Sequence, residues 1–354
     1  MSAYIIRRLM ILPVILFGVT FLIFLMLQLL TPVERSALYI RDLPHTEGAI
    51  DAVIRRYGLD EPLFVQYWHW LVGRRDPVSG DTLGGLLRGE LGYSRTGNQN
   101  VIDLLKFRLP ATAELALWAG VPLITVGIWL GVQAAVNHNK PFDQAARIFS
   151  IIGYSFPPFV FALLVLLIFY ARLEWFPPGR LSDWADRAVL SAAFTRYTQL
   201  NTIDALLNGR VDIFLDALRH MILPIITLCY ISWALLLKIT RSSMLESLRQ
   251  DYVTTARAKG LRERDVINKH ARPNAMIPVA TVSGLTVVGL LNGVVITETV
   301  FDYPGIGSAA AAAAASLDVV TVLGIVLFNA TLLIIANLVV DVMYAVLDPR
   351  VRLT

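Results

Sequence analysis

Residues 319–347 read VVTVLGIVLFNATLLIIANLVVDVMYAVL, an apolar run whose only charged residue is Asp341. A helix needs about 20 predominantly apolar residues to cross about 30 Å of hydrocarbon, because each residue advances it by about 1.5 Å. This stretch is therefore long enough to span a membrane, and it predicts a transmembrane helix.

Further apolar windows of similar length occur along the whole chain. They lie at about residues 5–30, 111–136, 148–170, 221–239 and 276–297. Only 16% of the residues are charged and the mean hydropathy is +0.60, whereas about 25% of a typical soluble domain is charged. We therefore predict an all-α polytopic membrane protein with six transmembrane helices. The first window is too long for a cleaved signal peptide and has no small-residue cleavage site, so we expect it to remain as a span.

The distribution of Lys and Arg predicts the orientation. The connecting segments that lie on one side of the membrane carry 15 Lys and Arg residues in 64 positions. These segments are residues 1–8, 137–147, 238–275 and 348–354. The segments on the other side carry 16 in about 150. The positive-inside rule then places both termini in the cytoplasm of a multi-pass inner (plasma) membrane protein. Anionic lipids and topology account for the net charge of +4, so we expect no nucleic-acid partner.

Three regions follow from this topology. Residues 1–30 form the N-terminus and the first span, and residues 31–110 form an exterior (periplasmic) cap region that includes a helical-looking stretch, 47–71. Residues 111–354 form a core with the other five spans and a long cytoplasmic loop, 240–275. We expect the exterior region after the first span to be unusually large for the number of spans.

The most informative polar sequence lies within that loop, where residues 251–273 read DYVTTARAKGLRERDVINKHARP. Val253 and Ala256 recur at helical spacing, and Gly260 can adopt the left-handed conformation that ends a helix. The pattern predicts two short amphipathic helices broken at Gly260. Such a pair can dock a cytosolic protein, or it can rest as a basic loop on lipid headgroups.

The same residues resemble a known family. ABC importer permeases carry Glu-Ala-Ala-x3-Gly-x9-Ile-x-Leu-Pro in a cytoplasmic loop, and here Ala256, Gly260 and Pro273 match that pattern, while Thr254 replaces the Glu. The departures, in Thr-Ala-Arg-Ala-Lys-Gly-Leu at 255–261, are similar to the dipeptide/oligopeptide/nickel permease branch. Other parts of the chain look like the same branch, at residues 4–9, 91–94, 108–115, 242–245, 298–307 and 340–350.

This resemblance implies a type I ABC importer permease fold and a set of partners. The implied partners are a second homologous permease subunit, two cytosolic ABC ATPase domains, an exterior solute-binding protein and the lipid bilayer. The sequence has no Gly-x4-Gly-Lys-Ser/Thr phosphate loop, so we expect no enzymatic activity and no cofactor in this chain, with ATP and magnesium bound by the partner subunits. Peptides are the expected cargo, and nickel complexes or oligosaccharides are the alternatives.

By the same resemblance, the 251–273 segment couples the permease to an ATPase subunit. The residues expected to do so are Asp251, Tyr252, Thr254, Thr255, Ala256, Arg257, Lys259, Gly260, Leu261, His270 and Pro273. We predict that a bulky residue at Gly260 uncouples ATP hydrolysis from transport.

Polar residues within or beside the apolar windows are candidates for the translocation path. They are Asn292, Thr297, Glu298 and Asn329, and each could instead hydrogen-bond a neighbouring helix. Glu114, near the start of a span, and Asp341 are carboxyls that could serve transport, including proton coupling, and local pairing with arginines is the alternative that we prefer for both. We predict no catalytic and no metal-binding residues.

Two other classes of protein compete with this interpretation. An ion- or proton-coupled secondary transporter would show internal repeats and broken helices, and Pro122 and Pro224 could break spans. A membrane enzyme would need a reactive constellation, but the sequence has neither a Gly-x-Ser-x-Gly nor a His-Glu-x-x-His motif. Strict dependence of uptake on ATP would separate an ABC importer from a secondary transporter.

Overall fold

A computed structural model describes residues 2–36, 39, 48–76, 80–291 and 294–347, and most of them are helical. The chain begins with α1 (Ser2–Leu27), α2 (Pro32–Ser36), α3 (Ala49–Tyr57) and α4 (Leu63–Val72). Two small antiparallel hairpins follow, in which β1 (Arg74–Arg75) pairs with β2 (Thr82–Leu83) and β3 (Tyr93–Ser94) pairs with β4 (Gln99–Asn100). A 3-10 turn, Leu86–Arg88, lies between the hairpins.

The next helices form the middle of the chain. They are α5 (Val101–Val136), α6 (Pro141–Ser155), α7 (Pro158–Leu166) with a π-helical extension (Leu167–Arg172), α8 (Asp183–Val189), α9 (Asn201–Leu207) and α10 (Val211–Leu248). The C-terminal elements are α11 (Asp251–Ala258), α12 (Glu263–Asp265), a π-helical turn (Val266–Ala271), α13 (Arg272–Leu291), α14 (Val295–Val300), α15 (Ile306–Ala315) and α16 (Val319–Leu347).

Five helical stretches in the described part of the chain are long and apolar enough to cross a membrane. They lie at Met10–Leu27, Val101–Val136, Val211–Leu248, Glu263–Leu290 and Val319–Val340. The pair formed by α6 and α7 meets the same criteria only when taken together, so the described part of the chain has up to six spans if this bent pair crosses the membrane as one. The all-α polytopic prediction is confirmed. The helices α5 and α10 continue well beyond their predicted apolar windows, 111–136 and 221–239, because polar residues can extend a helix outside the hydrocarbon layer.

The chain is bent by 102° between α6 and α7. Phe156 and Pro157 both have extended backbones, with ψ angles of 119° and 135°. Each of these residues precedes a proline, and a following proline disfavours the helical conformation. Pro122 and Pro224, which we considered as breaks, lie inside the continuous helices α5 and α10.

The chain folds as two compact units. Among the described residues, the first unit comprises those within 110–308 and 336–347, and the second comprises those within 2–109 and 309–335. In the first unit α10 packs against α6, α9 and α13. Its core contains Leu115 and Leu123 of α5, Met221 and Cys229 of α10, and Tyr303, together with other apolar residues.

In the second unit, Tyr67 of α4 packs against α1. Its hydroxyl lies 2.9 Å from the hydroxyl of Thr20, and its ring meets Phe21 and Phe24 edge-on. The helical-looking stretch 47–71 is split into α3 and α4 at Gly58, which has a left-handed backbone (φ +64°). Glu47, where that stretch begins, lies outside the described residues.

Candidate functional site

The 251–273 segment forms two short helical pieces joined by a tight turn. α11 ends in a Schellman motif, in which the Gly260 N–H donates to the Arg257 carbonyl (2.9 Å) and the Leu261 N–H donates to the Ala256 carbonyl (3.4 Å). Gly260 has φ +74°, which any residue with a Cβ atom adopts at a cost. The left-handed turn predicted at Gly260 is confirmed.

The apolar side of this segment packs on the membrane helices of the first unit. Val253, Ala256, Val266 and Ala271 are buried in one cluster with Met244 of α10 and Ala275 of α13, and Val132 and Ala135 of α5 complete it. Small and β-branched side chains allow the backbones to approach closely. The segment is therefore held against α5 and α10 as a packed element.

The opposite side of the segment faces outward. Most of the residues predicted from the sequence lie on it: Asp251, Tyr252, Thr254, Thr255, Arg257, Lys259, Gly260, Leu261 and Pro273 are exposed. His270 is partly buried, and Ala256 belongs to the packed side. Tyr252 and Leu261 expose 41% and 43% of their surface, so apolar groups are available on this face between the charged ones.

An ion pair braces the turn at Gly260. The guanidinium of Arg257 donates two hydrogen bonds to the carboxylate of Glu263, at 3.1 Å and 2.7 Å. Lys269 pairs with Asp265 at 2.9 Å one helical turn further on. The sequence interpretation included Arg257 and missed Glu263, because a separation of six residues signals no helical contact and only the turn brings the two together.

The translocation-path candidates are distributed over different parts of the chain. Asn292 lies outside the described residues. Thr297 and Glu298 are consecutive in α14 and are 3% and 0% exposed. Asn329 lies on α16, in the second unit. The structure thus encloses Thr297 and Glu298 in protein.

Glu298 is the centre of a buried hydrogen-bond network. Its carboxyl oxygens accept hydrogen bonds from the Thr112 hydroxyl and from the Ser308 N–H, both at 2.9 Å. The Thr112 hydroxyl oxygen in turn accepts a hydrogen bond from the Ile306 N–H at 2.8 Å. Gly305 packs so closely on Glu298 that a Cβ atom there would lie 2.3 Å from the carboxyl carbon. The network ties the turn after α14 and the start of α15 to α5.

Glu114, two residues after Thr112, organises a second network. Its carboxylate accepts two hydrogen bonds from Arg180, at 2.7 Å and 3.0 Å, and two from Thr202, at 2.6 Å and 2.8 Å. The Tyr303 hydroxyl lies 3.4 Å away, and burial raises the pKa of that hydroxyl. The pairing of Glu114 with an arginine is confirmed. Glu114 and Thr112 of α5 therefore hold the segment from Arg180 to Thr202 and the α14–α15 turn in place.

Comparison with known proteins supports a common family. Residues 124–353 match the model for the binding-protein-dependent transport system inner membrane component, and residues 1–116 match the model for the N-terminal part of such membrane components. The chain is 40% identical to the di/tripeptide transport system permease protein DppB of Pseudomonas aeruginosa, covering 99% of both chains.

Two further relatives are similar over most of their length. The probable D,D-dipeptide transport system permease protein DdpB of Escherichia coli is 37% identical over 86% of this chain and 85% of its own. The dipeptide transport system permease protein DppB of Alkalihalophilus pseudofirmus is 35% identical over 99% of this chain and 100% of its own. The resemblance found in the sequence is confirmed. Membership of this family also means that the chain is a multi-pass inner membrane protein and that it works with partner subunits. The chain belongs to the family of binding-protein-dependent transport system inner membrane components, the permease subunits of ABC importers.

Proposed function

We propose that this chain forms half of the translocation pathway of an ABC importer for di- and oligopeptides. The observation that carries the proposal is the 40% identity, over 99% of both chains, to a permease named for di- and tripeptide transport. The other half of the pathway is a second, homologous permease subunit. An exterior solute-binding protein delivers the peptide to the pair.

ATP hydrolysis takes place in two cytosolic ATPase domains, which bind the ATP and magnesium, and this chain is not itself an enzyme. The 251–273 segment docks on one of these domains. Its packed side, built on Val253 and Val266, and its exposed charged side, with Arg257 and Glu263, support this role. A segment packed against α5 and α10 transmits a push on its outer face as a rigid body, which is what switching between two states requires.

The orientation is part of the proposal. Both termini and the 251–273 segment lie in the cytoplasm, and residues 31–110 form the exterior cap of the 111–354 permease core. The higher density of Lys and Arg on the assigned cytoplasmic side supports it. An ATPase that docks on the 251–273 segment requires this orientation, because ATP is available in the cytoplasm.

Transport by the reconstituted complex tests the function. We expect uptake of a labelled dipeptide into vesicles that hold the two permeases and the ATPases, with the solute-binding protein outside and ATP inside. Uptake without ATP, driven by a proton or sodium gradient, would indicate a secondary transporter. Uptake of only nickel complexes or only oligosaccharides would remove the peptide assignment and leave the ABC mechanism intact.

A further inference from the structure

A cavity lies inside the second unit, between the membrane-facing helices and the cap. Part of its apolar lining comes from the end of α1, with Ile23, Phe24 and Leu27, and from the beginning of α16, with Val320, Leu323 and Leu327; leucines of the cap and Trp70 supply the rest. The α1 and α16 residues are close to where the apolar windows Met10–Leu27 and Val319–Val340 end and begin. The cavity therefore lies at the depth where both spans leave the hydrocarbon and reach the headgroups.

Arg35 of α2 lines the same cavity and is only 7% exposed. Its guanidinium donates hydrogen bonds to neutral acceptors, the side-chain oxygens of Gln28 and Gln66 and the carbonyl of Leu59. Its Nε is buried without a hydrogen-bond partner. Within the described residues, Arg35 forms no ion pair with a carboxylate.

The other charged groups of the lining do not compensate Arg35. The carboxylate of Glu61 pairs with Arg74 at 3.0 Å and with His69 at 3.1 Å, so Glu61 already has its own ion-pair partners. Glu90 lines the cavity but is exposed to solvent. Burial lowers the pKa of Arg35, as expected for a cation that is removed from water. A buried charge of this kind is costly unless an anion reaches it.

An apolar lining at headgroup depth and a buried cation that has no carboxylate partner among the described residues fit one chemical class, an amphiphile with an anionic head. We propose that this cavity binds a phospholipid, with the phosphate at Arg35 and an acyl chain between α1 and α16. Tyr39 and Tyr57, whose stacked rings are 4.0 Å apart, also line the cavity, and aromatic residues favour this interfacial depth. The bound lipid would join the cap to the two spans.

Titration calorimetry can measure the binding of short-chain phosphatidylglycerol to the purified, delipidated full chain. This measurement tests the proposal. Arg35→Gln keeps much of the side-chain volume and removes the charge. We expect this substitution to weaken binding by about tenfold or more, since a hydrogen bond to a charged group is roughly twice as strong as a neutral one. Arg55→Gln is the matched control, because Arg55 is an exposed arginine on the neighbouring helix α3. It should bind the lipid like the parent chain.

A second variant keeps the test decisive if Arg35→Gln does not fold. Leu323→Trp fills the apolar end of the cavity and leaves Arg35 in place, so it should also weaken binding of the lipid. Inorganic phosphate serves as the second probe and should neither bind tightly nor displace the lipid. Unchanged phosphatidylglycerol binding by the folded Arg35→Gln or Leu323→Trp chain would overturn the proposal. Displacement by inorganic phosphate at a similar concentration would also overturn it and indicate a site for free anions.

Discussion

The hydroxyl of Thr112 donates a hydrogen bond of 2.9 Å to the carboxyl of Glu298, across 186 residues of sequence. The same hydroxyl oxygen accepts a hydrogen bond from the Ile306 N–H. The Thr112 side chain therefore connects α14, before the turn, to α15, after it. Each of these groups is buried. Buried polar groups are costly when they lose a partner, so this connection fixes the conformation of the α14–α15 turn.

Substitutions at Glu298 should separate the contribution that its hydrogen bonds make to stability from the contribution of its side-chain volume. Glu298→Gln keeps the side-chain shape and one acceptor oxygen but places an NH2 donor against one of the two buried donors, so we expect a loss of about 1–2 kcal/mol in the free energy of unfolding. Glu298→Leu leaves the Thr112 hydroxyl and the Ser308 N–H without an acceptor, and should cost about 2–4 kcal/mol. Denaturant unfolding of the purified chain in detergent measures both. Equal losses in the two variants would show that the network contributes little.

The close approach of Gly305 to Glu298 gives a second prediction. A Cβ atom at Gly305 would lie 2.3–2.4 Å from the carboxyl group, and overpacking of this kind costs about 1–3 kcal/mol. Gly305→Ala should therefore lower the unfolding midpoint. Gly289→Ala is the matched control, since its Cβ would meet nothing within 4 Å, and Ala favours a helix over Gly by about 1 kcal/mol. A Gly305→Ala chain as stable as the control would contradict the packing.

The ion pair between Glu114 and Arg180 should show strong coupling in a double-mutant cycle. Glu114 is 1% exposed and Arg180 is 17% exposed at the side chain, so removal of one partner leaves the other charge buried. We expect Glu114→Gln or Arg180→Met to cost about 3–5 kcal/mol each, and the double variant to cost clearly less than the sum. Additive losses would mean that the two groups are stabilised independently of each other.

Asp318 should make the second unit sensitive to acid. Burial opposes ionisation of this carboxyl, but hydrogen bonds from Thr321 and Thr96 outweigh it and hold its pKa below the usual value. A folded pKa below the unfolded value of about 3.9 means that the stabilisation is present above about pH 4. It is lost as the pH falls through the folded pKa.

The unfolding temperature between pH 7 and pH 2 measures this effect. We expect the parent chain to lose stability below about pH 4 more steeply than Asp318→Asn, which cannot titrate at this position. Asp51→Asn, a change at an exposed carboxyl of α3, should follow the parent curve. A parent curve parallel to that of Asp318→Asn would contradict the prediction.

The membrane helices and the turn at Gly260 could be predicted from the sequence because both depend on local patterns. Hydropathy over about 20 residues identifies a span, and a glycine after an amphipathic stretch indicates a left-handed cap. Pro122 and Pro224 do not interrupt their helices, whereas the Pro157–Pro158 pair does. A single proline can be accommodated in a membrane helix, but consecutive prolines force consecutive residues out of the helical conformation.

The polar networks could not be predicted in the same way. Glu298 pairs with Thr112 and Glu114 with Arg180 only because the fold brings distant segments together, and no spacing in the sequence encodes either contact. An isolated carboxyl beside an apolar window is compatible with a translocation path and with a structural anchor. Its burial and its partners favour the anchor for Glu298. Glu263 was missed for the related reason that its contact with Arg257 depends on the Gly260 turn.

Comparison of two glycines tests the proposed coupling role most directly. Gly260 and Gly209 have similar left-handed backbones (φ +74° and +68°), and a Cβ atom at either would meet nothing within 4 Å. A bulky residue therefore imposes similar backbone strain at both positions, but only Gly260 lies in the 251–273 segment. The decisive measurement is the amount of peptide transported per ATP hydrolysed by the reconstituted complex. We predict that Gly260→Phe lowers this ratio at least about tenfold while Gly209→Phe keeps the parent ratio; an unchanged ratio in Gly260→Phe, or an equal fall in both variants, would contradict the coupling role.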